Sequence, residues 1–97
     1  MDVPAGYLEN GYCNVCHLDA PRRATLEAVL KAEGIGFGNI YPGAMSAQPG
    51  AKGYIRAAVS NGRATEYCGT VLNLPLFPYM TDAELETVVA VVKKTLA

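Results

Sequence analysis

Leu85, Val88, Val89, Val92 and Leu96 recur at helical spacing near the end of the chain, and they predict an amphipathic helix. Thr81-Asp82-Ala83-Glu84 stands in front of them as a capping box, and Lys93 and Lys94 suit the negative C-terminal end. A second stripe, Leu26, Val29 and Leu30, predicts a helix from about Pro21 to Glu33. Asp19 is its candidate N-cap, Pro21 fits the first turn, and Gly34 suits the C′ stop. Tyr7, Leu8 and Tyr12 suggest a further helix from about Val3 to His17, although Gly11 weakens that pattern. Tyr54, Ile55, Ala58 and Val59 suggest another over Ala51 to Asn61, stopped by Gly62. The five glycines and two prolines between Gly34 and Gly50 predict loop. The uncharged run from Gly69 to Met80 carries Pro75 and Pro78, which argue against regular helix or central strand. The expectation is therefore one all-α domain over residues 1–97, with about four helices.

Composition changes this picture little. The chain has 97 residues and a net charge of −1, which gives no argument for a nucleic-acid partner. No stretch is long and apolar enough to span a bilayer. A hydrophobic share of 51% is high for a small domain, and leaves apolar surface for a bound group or a subunit interface.

The candidate chemistry lies in Cys13-Asn14-Val15-Cys16-His17, a C-x-x-C-H sequence of the kind that attaches a c-type haem. On one helical turn, an i, i+3 cysteine pair lies on one side, where both thiols can add to haem vinyl groups. His17 would then bind iron. Zinc is a rival, because Cys13, Cys16, His17 and Cys68 form a Cys3His set. Adjacent Cys16 and His17 are unusual spacing for zinc, and a thioredoxin-like dithiol expects strands alternating with helices. The single histidine leaves no second one for a Ser-His-Asp set if His17 holds iron, so no enzyme activity is expected.

The chain resembles the class I mono-haem cytochromes c through that motif, through Tyr54 to Arg63, and through Leu74 to Leu85. The resemblance implies a cytochrome c-like fold around one covalent haem c, with thioethers at Cys13 and Cys16 and His17 on the iron. It also implies one-electron transfer with redox partner proteins. Pro42 is the candidate carbonyl that orients the axial histidine, and Leu74 and Phe77 belong to a wall over the haem edge. The family's second ligand is commonly a methionine before a proline, where this chain has Leu74-Pro75. Cys68 is the leading substitute, Met80 the alternative, and Met45 a weaker one.

A His/Cys pair is similar to the small NaxL/NaxS cytochromes, which implies a related cytochrome subunit as heterodimer partner, or a homodimer. A thiolate ligand would give a low potential. Its loss on reduction would open a site for NO or CO, the alternative function being a gas-binding or redox-sensing module. Arg63 could favour the thiolate or pair with a propionate, against the simpler reading of a solvated helix-end arginine. Haem attachment follows export, so the periplasm or an equivalent compartment is expected, with Met1-Asp2-Val3 beginning a mature chain.

Overall fold

The computed structural model describes residues 4–8, 11–57 and 62–97. Strand β1 (Asn14–His17) comes first, followed by helix α1 (Ala20–Ala32). Two short 3-10 turns follow, then helix α2 (Gly62–Thr70), strand β2 (Val71–Leu74) and helix α3 (Asp82–Leu96). β1 and β2 pair antiparallel, with Cys16 opposite Leu72 and His17 opposite Val71. This mixed α/β arrangement of three helices and a two-stranded sheet among the described residues replaces the expected all-α cytochrome fold.

The two strongest helical patterns form where the sequence places them. Asp19 accepts a hydrogen bond from the Arg22 N–H at 2.9 Å, which satisfies one of the donors exposed at the start of α1. Gly34 ends that helix at φ +69, a left-handed conformation that costs glycine little. The Ile35 N–H reaches Leu30 O and the Gly34 N–H reaches Lys31 O, the paired bonds of a Schellman ending. At α3 the capping box is complete: Thr81 Oγ1 accepts from the Glu84 N–H, and the Glu84 carboxylate accepts from the Thr81 N–H at 2.8 Å.

The other expectations give way. Pro4 starts a turn closed by Tyr7 N–H, while Gly6 and Gly11 take φ of +87 and +62. Left-handed residues interrupt a right-handed helix, so no helix runs from Val3 into the motif among the described residues. Beyond Gly11, Asn, Val, Cys and His are weak helix formers, and the segment pairs as a strand instead. The expected helix over Ala51 to Asn61 is a 3-10 turn (Pro49–Ala51) followed by turns; its last residues, 58–61, lie outside the described set. Gly62 begins α2 rather than stopping a helix. The uncharged segment after Gly69 contains β2, whose four residues end before Pro75.

The core is small. Leu26 and Leu30 from α1 and Leu72 from β2 are buried, with Leu18, Ile35, Leu74, Val91, Val92 and Leu96 packed around them. Asn73 fixes a third layer of contact. Its backbone exchanges bonds with Gly38, at 3.0 and 2.8 Å, and its side-chain oxygen accepts from the Ile40 N–H at 3.0 Å.

Leu30 is fully buried, so Leu30→Ala should cost about 2–5 kcal/mol in a urea titration. Glu84 is held below the usual carboxylate range, first by the hydrogen bond from the Thr81 backbone and then by the Thr81 side chain. A depressed pKa stabilises the fold above the unfolded value and loses that contribution as pH falls through the folded one. Thermal melts should therefore show the gap between the wild type and Glu84→Gln closing as pH is lowered through the acid range.

Candidate functional site

The Cys13 to His17 segment is positioned by its pairing with β2, and extended backbone controls what it can present. Side chains alternate along a strand, and residues directly opposite share a face. Cys16 therefore shares a face with Leu72, on the core side of the sheet, while His17 shares a face with Val71 on the other. Cys13 stands just before the strand and is exposed. The expectation that one helical turn gathers both thiols on one side fails here, because the segment is a strand.

Burial separates the two thiols chemically. Cys16 is partly buried, and desolvation pushes its thiol above the usual cysteine value. That keeps it protonated at neutral pH and lowers its nucleophilicity. Cys68, near the C-terminal end of α2, is also partly buried, and all three cysteines are free. Among the described residues, no group of three His, Cys, Asp or Glu side chains could hold a metal ion. The Cys3His zinc set considered for Cys13, Cys16, His17 and Cys68 is therefore not assembled in this conformation.

His17 has a defined setting. Its Nδ1 lies 3.2 Å from Thr70 Oγ1, and the Thr70 hydroxyl lies 3.0 Å from the Tyr67 carbonyl. A hydroxyl has one hydrogen, and the carbonyl can only accept it. Thr70 therefore accepts from Nδ1–H, and Nε2 is the ring nitrogen that Thr70 does not engage. The Tyr67 ring meets the imidazole edge-on at a centroid distance of 4.5 Å, and Tyr41 lies 6.2 Å beyond Tyr67. Thr70 thus fills the orienting role expected of Pro42, which is an exposed loop residue. Thr70 and Tyr67 were not foreseen as site residues. Their signal in sequence was only proximity to Cys68.

The end of α2 is clamped by α1. Arg23 sends one guanidinium nitrogen to Cys68 O and Gly69 O, both at 3.0 Å, and its Nε pairs with Glu27 at 2.7 Å. Asn39 Nδ2 adds a longer bond to Cys68 O at 3.4 Å. These donors meet carbonyls that α2 leaves unpaired and place a cation at the negative end of its dipole. Arg23, also unforeseen, is the arginine that holds Cys68 in place. Arg63 is exposed in the first turn of α2.

The remaining candidates scatter. Met45 is exposed in the first 3-10 turn, while Met80 and Phe77 line a groove with Ile35, Pro75 and Val88. Leu74 packs against the core from the end of β2. The His17 ring meets Thr70 and Tyr67 rather than either proposed iron ligand, Cys68 or Met80.

Comparison with known proteins gives one family. The model of the DegT/DnrJ/EryC1/StrS aminotransferase family matches residues 10–93, and on that match the chain belongs to this family. No curated protein matches the chain. The family match overturns the cytochrome c resemblance, and with it the haem c cofactor, the electron-transfer and gas-binding functions, and the non-enzyme expectation.

Alkylation with iodoacetamide at neutral pH should label Cys13 faster than Cys16, because only Cys13 is both exposed and outside the sheet. Equal rates, read by peptide mass spectrometry, would contradict the burial assigned to Cys16.

Proposed function

We propose that this chain forms part of an enzyme that transfers amino groups. The support is its family membership over residues 10–93. The geometry of the described residues adds nothing to that support, and fold or family alone does not place a reactive centre. Amino-group transfer in such enzymes is ordinarily the chemistry of pyridoxal phosphate, which acts as an electron sink when bound to a lysine.

Of the motif residues, Cys13 and His17 are proposed as the chain's reactive side chains, with Cys16 and Cys68 as partly buried thiols beside them. The His17 ring is held by Thr70 through Nδ1, and Cys13 is an accessible thiol. A further polypeptide is proposed as a partner, covering apolar side chains such as Tyr12, Val15, Tyr41 and Tyr67 that stay at least a third exposed around the motif. The expectation of export loses the argument it rested on, since haem attachment was its basis.

The natural material should be isolated with whatever accompanies it, weighed by mass spectrometry, and assayed for transamination between an amino acid and a 2-oxo acid. Turnover is the expected result. A coloured protein without turnover, heavier than its polypeptide by a group joined through thioethers at Cys13 and Cys16, would overturn the proposal.

A further inference from the structure

The geometry points to a chain whose own residues do not hold pyridoxal phosphate, despite its family. This inference rests on the family reading and asks where that reading's cofactor could sit. Binding the group covalently joins a lysine Nζ to the aldehyde carbon, with water leaving, and it needs the amine in its neutral form. Such a lysine is ordinarily desolvated or placed beside another cation. The site also needs a side-chain partner for the ring nitrogen and donors for the phosphate.

The chain has four lysines, Lys31, Lys52, Lys93 and Lys94, and all are exposed. Three of them lie in the last turns of α1 and α3, where unpaired carbonyls gather. That negative end repels a phosphate. Lys93 borders a groove formed by Leu74, Leu85, Val88 and Val92, to which Asn14 adds the one uncharged polar side chain. That groove contains no carboxylate and no further cation. Lys94 borders a second groove with Thr25, Thr95 and Glu33. There both threonine hydroxyls already donate within their own helices, to Pro21 O and Val91 O. Glu33 adds a like charge facing any phosphate. Lys52 follows the second 3-10 turn and is exposed beside Gly53.

The capped starts of α1 and α3 offer no alternative cradle. At α1 the Asp19 carboxylate already accepts from the Arg22 N–H, and at α3 the Glu84 carboxylate occupies the equivalent place. A phosphate at either end would meet a carboxylate before it met a free donor. Among the described residues, the four lysines and the capped starts of α1 and α3 are thus separate and individually unsuited.

Adding pyridoxal phosphate to the purified chain, reducing with borohydride and digesting for mass spectrometry tests this directly. The expected label is spread over several lysines, rises without saturation, and is unchanged when the chain is unfolded in urea before reaction. Saturable, one-to-one labelling of a single lysine that urea abolishes would overturn the inference. The two tests separate cleanly. Transamination by natural material with diffuse labelling of this chain upholds both proposals and assigns the cofactor lysine to another polypeptide. Transamination with one saturable lysine sinks the inference alone. Absent turnover sinks the functional reading, whatever the lysines do.

Discussion

Among the described residues, Arg23 ties α1 to the end of α2. Its guanidinium crosses from α1 to the last carbonyls of α2, at Cys68 and Gly69, while Glu27 holds it from its own helix. The next residue, Thr70, accepts the Leu18 N–H through its carbonyl and the imidazole N–H through its hydroxyl. β2 then begins with the buried Val71 and Leu72. The position of the sheet, the setting of His17 and the placing of Cys68 thus follow from one half-buried cation. Arginine suits this task because its planar fork reaches two acceptors at once and stays charged. Hydrogen bonds to a charged donor are also stronger than neutral ones.

The legible parts of the chain were those specified locally. For α1 and α3, the apolar stripe, the cap and the stop all lie within about fifteen residues and agree with one another. Consistency across such levels makes a sequence readable. Asp19, Gly34, Thr81 and Glu84 do what their positions suggest. The sheet was hidden because its two strands are four residues each and lie far apart in sequence. Nothing near Asn14 announces Leu74, and two left-handed glycines upstream remove the helix that the aromatic spacing suggested. α2 was missed because its sequence, Gly-Arg-Ala-Thr-Glu-Tyr-Cys-Gly-Thr, has no buried residue and therefore no apolar stripe to reveal it.

The candidate site was legible as a set of residue types and illegible as an arrangement. Cys13, Cys16 and His17 stand out in any reading of the chain, but a motif carries chemistry only in the conformation that converges its side chains. Here a strand sends Cys16 toward Leu72 and His17 toward Tyr67. The family match and the lysine positions pull in different directions as well. Membership is shown over residues 10–93, while the chemistry ordinarily linked to that family finds no suitable lysine among these helices.

Asn73 has a consequence for behaviour in concentrated solution. β2 is flanked by β1 on one side and, on the other, by a single rung at Gly38, with Asn73 also gripping Ile40 through its amide oxygen. An uncovered strand flank can recruit a strand from another molecule. The short Gly38 to Ile40 stretch covers part of that flank and leaves fewer backbone groups open to strand addition.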